Sequence, residues 1–213
     1  MRQTGDNTGA ALLENWTAPP PPSPSAPVPF QALPNLPYFV GREALLAQIT
    51  SALLAPQQTA VTTLYGMPGV GKTALALQLA YSLRDKFPDG VLWARVDTTE
   101  PLTILNTFAT AYSLDVSHIA DLHSRSRLVR ELLGRKKALI ILDNAENSSQ
   151  IKPLLPPSGS CTVLITTRRH NLSVSRGGRR FAIRPFDPQH TESTQLFARV
   201  LGEPRVAEER EQF

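Results

Sequence analysis

Val61-Thr62-Thr63-Leu64-Tyr65-Gly66-Met67-Pro68-Gly69-Val70-Gly71-Lys72-Thr73 is the stretch whose reading decides the fold. Five apolar, β-branched or aromatic residues, the composition of a buried strand, run into a G-x-x-x-x-G-K-[ST] loop from Gly66 to Thr73. Ala74, Leu75, Leu77, Leu79, Ala80 and Leu83 follow at helical spacing. A phosphate chain is held well by this order of strand, loop and helix. Consecutive backbone N–H groups and the positive end of the helix dipole converge there on the negative charge. Gly66, Gly69 and Gly71 let the backbone wrap closely, Lys72 reaches the β and γ oxygens, and the Thr73 hydroxyl faces Mg²⁺. The stretch is therefore a P-loop. It predicts a purine nucleotide with Mg²⁺, held by Gly66, Pro68, Gly69, Val70, Gly71, Lys72, Thr73 and Ala74.

Two more strands end in polar residues and extend the site. Ala138-Leu139-Ile140-Ile141-Leu142 is fully apolar, so it is buried on both faces, and Asp143 at its carboxyl end is placed to hold Mg²⁺ through water. The same Asp could instead cap the following turn. Position 144 is Asn, which can orient a water but cannot take its proton, so rapid hydrolysis is disfavoured. Glu146 could supply that base or simply cap the segment after the strand. Val163-Leu164-Ile165-Thr166-Thr167 delivers Arg168 to a strand terminus, where it could sense a terminal phosphate. Arg169 and His170 read as solvated neighbours.

Working outward, strands are predicted at Ala60 to Tyr65, Val91 to Val96, Ala138 to Leu142, Thr162 to Thr166 and Phe181 to Ile183. Segments of helical period separate them, the pattern of an α/β fold with a five-stranded parallel sheet. Gly41-Arg42-Glu43 opens a helix carrying Leu45, Leu46, Ile49, Leu53 and Leu54, ended by Pro56. Pro101 starts a second, with Leu102, Leu105, Phe108, Ala109 and Tyr112 in phase, and a third runs near Asp121 to Leu133 and stops at Gly134.

The 213 residues, 41% of them hydrophobic and 19% charged, suit one soluble domain with a tail. Nine of the 19 prolines fall in residues 1–37, which predicts a disordered, extended leader before a domain at 38–213. One cysteine, Cys161, no signal-peptide layout and no apolar run of membrane-spanning length point to a cytoplasmic protein without a membrane partner. The net charge of +4 is small for a dedicated nucleic-acid binder. Arg176, Arg179, Arg180 and Arg184 around Gly177-Gly178 read as an exposed basic loop without interleaved stacking residues, so nucleic acid is an unlikely partner.

Phe39-Val40-Gly41-Arg42-Glu43, the P-loop, Leu142-Asp143 and Thr166-Thr167-Arg168 together resemble the NB-ARC nucleotide-binding domain of the STAND class of signalling NTPases. Phe87-Pro88-Asp89-Gly90, Leu142-Asp143-Asn144-Ala145 and the run from Gln150 to Pro156 resemble the bacterial form found in SARP-type regulators and in NB-ARC proteins with tetratricopeptide repeats. The resemblance implies a three-layer fold with strand order 2-3-4-1-5 and adenine rather than guanine as the base. It also implies that Val40 and Arg42 lie on the adenine side and that Arg168 is the phosphate sensor. The implied function is a switch, silent with ADP and opened by ATP to assemble with protein partners or with itself. The family's Gly-Leu-Pro-Leu segment and winged helix would follow where the chain stops at Phe213, so a truncated member is expected. An autonomous Mg-dependent ATPase and a fragment of a DNA-associated transcriptional regulator are the competing readings.

Overall fold

The computed structural model describes residues 27–55, 61–157, 161–172, 174 and 178–186. The expectations for residues 1–26, for the segments at Pro56 and Arg176-Gly177, and for the stretch after Phe186 lie outside the described residues.

In chain order the elements are α1 (Glu43–Leu54), β1 (Val61–Tyr65), α2 (Lys72–Ser82), β2 (Val91–Arg95), α3 (Pro101–Thr110), α4 (Leu122–Leu133), β3 (Leu139–Ala145), α5 (Ser148–Ile151), β4 (Thr162–Thr167) and β5 (Arg179–Ala182). All strand pairs are parallel, in the order β2-β3-β4-β1-β5. The sheet is thus the predicted one, with the Arg168 strand between the P-loop strand and the Asp143 strand.

Alternation along each strand builds two separate cores. Leu92 and Ala94, Ile140 and Leu142, Val163 and Ile165 point to the face covered by α3 and α4, where Ile104, Leu105, Phe108, Val129 and Leu133 meet them. Val91 and Trp93, Leu139 and Ile141, and Leu164 point to the other face, against Ile49 and Leu53 of α1 and Leu75 and Leu79 of α2. The product is helix, sheet, helix. Phe108 is fully buried in the first core, and Phe108→Ala would cost about 3–5 kcal/mol.

The elements differ from the sequence reading most at β3, β5 and α1. β3 runs past Leu142 to Ala145, because Asn144 takes a left-handed conformation (φ 61°) that shifts the register and lets Ala145 pair with Thr167. Asn and Asp tolerate that conformation better than other side chains with a Cβ. β5 begins at Arg179 rather than Phe181. Its pairing with Thr62 to Tyr65 draws Arg179 and Arg180 into an edge strand, where exposed arginines cost little, so they are strand residues rather than loop residues. Leu54, counted on the buried face of α1, is 42% exposed, since only Ile49, Ala52 and Leu53 of that helix are buried.

Residues 29–33, grouped with the leader on composition, lie along the outer edge of β2. Phe30 forms a parallel bridge to Val91, with Val91 N donating to Pro29 O and Gln31 N to Val91 O, both at 2.9 Å. The physical reason is local: Phe30-Gln31-Ala32-Leu33 is a proline-free interval that still owns its N–H donors. Among the described residues no helix is long and apolar enough to cross a membrane.

Candidate functional site

The carboxyl ends of β1, β3 and β4 meet the P-loop on one rim of the sheet, the place where open parallel sheets leave a crevice. Two cavities lie there side by side. The first, about 370 Å³, is lined by Gly69, Gly71, Lys72, Thr73, Asp143, Asn144, Thr166 and Arg168, with Leu33, Pro68 and Arg95 completing it. The second, about 680 Å³, is mostly apolar and is lined by Leu36, Tyr38, Phe39, Val40, Arg42, Val70, Ala74, Pro185 and Phe186 among others.

The loop sits where its glycines require. A Cβ on Gly66 would lie 2.3 Å from the Ile183 carbonyl oxygen, so only glycine lets the loop pass the exit of β5. Gly71 is the N-cap of α2 and supplies no side-chain cap to the first-turn amides. Those amides keep their donor capacity for an anion, the geometry in which a helix start accepts phosphate.

Lys72 is nearly buried and donates from Nζ to Gly66 O (2.9 Å) and Met67 O (2.7 Å), spanning the loop. Burial pulls its pKa below the usual lysine value, the Arg168 guanidinium pulls it further, and Asp143 partly opposes both. Two cations facing one cavity repel each other, and an anion between them would relieve that repulsion.

Asp143 is 3% exposed and accepts from Thr73 Oγ1 at 2.9 Å, with a second oxygen at 3.2 Å, and from Thr166 Oγ1. Hydroxyl and carboxylate oxygens so close together form the hard oxygen set that Mg²⁺ takes, with waters filling the rest of its octahedron. The residues present therefore fit a Mg-nucleotide.

Asn144 lines the first cavity, but its side-chain amide is held by Asp97. Its Nδ2 donates to Asp97 Oδ2 at 2.6 Å, while its backbone N–H donates to Thr166 Oγ1 at 2.9 Å. Burial works to raise the Asp97 pKa, but the bonds from Asn144 and from Arg95, at 3.0 Å, outweigh it and hold the carboxyl below its ordinary range. Glu146 is exposed and lines neither cavity; its backbone N–H donates to Gln150 Oε1, and the cap of α5 is Asn147. Of the residues picked from sequence, Glu146 alone is not brought to the two cavities or the loop that joins them.

Arg42 is left-handed (φ 64°), caps α1 without a side-chain bond, and reaches across the second cavity. Its Nη2 donates to Arg184 O at 3.0 Å and its guanidinium lies 4.6 Å from the Phe186 ring centroid. Arg169 and His170 are exposed, and His170 packs edge-on to Tyr65 at 5.2 Å while its carbonyl accepts from Arg180.

Sequence reasoning gave no role to Leu33, Arg95, Thr166 or Phe186, which line the cavities. Thr166 carried a usable signal, a polar residue ending an apolar strand. Leu33 and Phe186 carried none, because they arrive from segments outside any motif.

Known proteins provide a comparison. The chain is 37% identical over 191 residues to the regulatory protein AfsR of Streptomyces griseus, a match that covers 86% of this chain and 19% of AfsR. It is 30% identical over 151 residues to the probable disease resistance protein RXW24L of Arabidopsis thaliana, covering 64% of this chain and 16% of that protein. It thus spans less than a fifth of the length of these relatives. The ORC2 protein of Aeropyrum pernix, solved in ADPNP-ADP complexes, has a similar fold with a TM-score of 0.58 at 13% identity, covering 81% of this chain and 53% of that one. The family model of the NB-ARC domain matches residues 42–205, and the chain belongs to the NB-ARC family.

Proposed function

We propose that this chain is the ADP/ATP-binding module of a STAND-type signal-transduction NTPase and works as a nucleotide-dependent switch rather than as a fast enzyme. The observation that carries this reading is the convergence of Lys72, Thr73, Asp143 and Arg168 on one polar cavity beside a larger apolar one. Their combined size is that of a site for a small molecule with a charged tail and a flat apolar head.

In this reading the loop amides from Gly66 to Ala74 and the Lys72 ammonium hold the phosphates. Thr73 and Asp143 hold Mg²⁺, Asp143 through water; the ion would supply charge neutralisation on the phosphate oxygens. Val40 and Arg42 face the base, and Arg168 registers the terminal phosphate. Asp143 is the only carboxylate lining the phosphate cavity among the described residues, and Asn144 is committed to Asp97. Among the described residues no second carboxylate stands at the phosphates to act as general base for water, which favours slow turnover over the autonomous ATPase. AfsR is a regulatory protein and RXW24L a probable disease resistance protein, which accords with a signalling role; the same reading places the chain in the cytoplasm, with protein partners or self-assembly.

Titration calorimetry of ADP and ATP with Mg²⁺ tests the proposal. Lys72→Ala removes charge-assisted hydrogen bonds worth about 1.5–3 kcal/mol, so affinity should fall about 10- to 100-fold. Equal affinity in parent and variant contradicts the reading.

A further inference from the structure

The family match begins at residue 42, yet the segment just before it contributes to both cavities. Leu33 lines the phosphate cavity together with Lys72, Thr73 and Arg168, and Leu36 and Tyr38 line the apolar one. Further back, the same segment is fastened to the sheet edge. Pro29 and Gln31 pair with Val91, and the Phe30 ring stands edge-on to Tyr81 at 4.9 Å. The Arg84 guanidinium lies 4.8 Å from the Phe30 centroid, and the Tyr81 hydroxyl donates to Leu33 O at 3.1 Å.

Gly90 makes this docking possible. A Cβ there would lie 2.2 Å from Pro29 O, a backbone atom that cannot swing aside. The clamp holds backbone on two sides, with ladder bonds to β2 and the tyrosine bond to α2. It therefore fixes where Leu33 stands, although Leu33 itself is 42% exposed. Because α2 starts at the P-loop, a segment tied to Tyr81 is tied to the helix that would receive the phosphates.

We propose that residues 29–38 are a strap, bridged to the edge of β2 at Phe30, that walls the nucleotide site and slows release of bound nucleotide. Leu33 and Tyr38 are the wall, and Phe30, Tyr81 and Gly90 are positioning residues that act through it. The inference rests on the nucleotide-binding reading above. Apolar cover over a charged tail excludes water and strengthens the bonds beneath it, an effect that appears in the dissociation rate more than in association.

The test uses the full chain loaded with mant-ADP and Mg²⁺ and chased with excess unlabelled ADP. Gly90→Ala and Phe30→Ala should each release mant-ADP about tenfold faster than the parent with association little changed. Phe30→Ala leaves the Gly90 turn intact, so it separates loss of the strap from strain in the turn. Hydrogen exchange reports whether the strap is docked, and the release rate is the readout that a merely structural role would not move. The Gln31 amide should be protected in the parent, more so with ADP, and exposed in both variants. Unchanged release with an exposed Gln31 amide overturns the strap's role alone. A parent that folds but binds no mant-ADP overturns the nucleotide reading and the strap's role with it.

Discussion

Thr73 and Asp143, 70 residues apart in the chain, share a hydrogen bond of 2.9 Å from Oγ1 to Oδ1. One residue opens α2 and the other lies near the end of β3, so this bond joins the P-loop helix to the sheet at the point where a metal ion would sit. Thr166 Oγ1 donates to the same carboxylate from β4. Three elements are thus pinned by one buried side chain.

Asp143→Ala should abolish the tightening of ADP binding by Mg²⁺. It should also cost about 1–3 kcal/mol of stability, because two hydroxyls lose their shared acceptor. Titrations with and without Mg²⁺, paired with urea unfolding, read both effects. A variant that keeps its Mg²⁺ dependence contradicts the assignment of Asp143.

Gly66→Ala should destabilise the fold by about 1–3 kcal/mol through overpacking. The new methyl meets Ile183 O, and Ile183 N is itself held to Tyr65 O at 2.7 Å, so the exit of β5 must move. The same shift displaces Pro185 and Phe186 from the apolar cavity, so nucleotide affinity should fall alongside the urea midpoint. An unchanged midpoint would show that β5 is not held against the loop.

The pH dependence follows from Lys72. Its pKa is lowered by burial first and by Arg168 second, so its charge begins to be lost below the ordinary lysine value of 10.5. ADP affinity should therefore weaken as pH rises towards that value, earlier than in Lys72→Arg, whose guanidinium stays charged. For the chain without nucleotide the sign is opposite. The unfolded lysine binds the proton more tightly, so this group's contribution to stability rises with pH through the window between the folded pKa and 10.5. Parallel affinity profiles for the two proteins would remove Lys72 from the site.

Asn144→Asp places an acidic residue beside Asp143 and sets a second carboxylate against Asp97, where the amide now donates at 2.6 Å. Loss of a charge-assisted bond and the new repulsion should cost about 2–3 kcal/mol near neutral pH. The penalty should shrink in acid as one carboxyl of the pair takes a proton. Thermal melts at pH 7 and pH 4 check this. A variant as stable as the parent at pH 7 contradicts the pairing.

The fold and the phosphate half of the site were legible because their signals are local. The apolar run and glycines around Gly66, and the strand-end positions of Asp143 and Arg168, mark themselves in sequence, and the topology brings their ends to one rim. Strand order came through the family resemblance, since the apolar pattern of β4 says nothing about which neighbours it takes. The Asn144 kink was hidden because the partner of its side chain, Asp97, lies 47 residues away in the turn after β2. The docking of Phe30 was hidden by composition: prolines on either side suggested a leader, while the deciding partner was the missing Cβ of Gly90.

The most direct test of the central claim is to purify the chain and Lys72→Ala, denature both, and identify any released nucleotide by chromatography. Nucleotide binding of the switch type predicts close to one ADP per parent chain and none from the variant. A folded parent that releases no nucleotide, or a variant that releases as much as the parent, would contradict it.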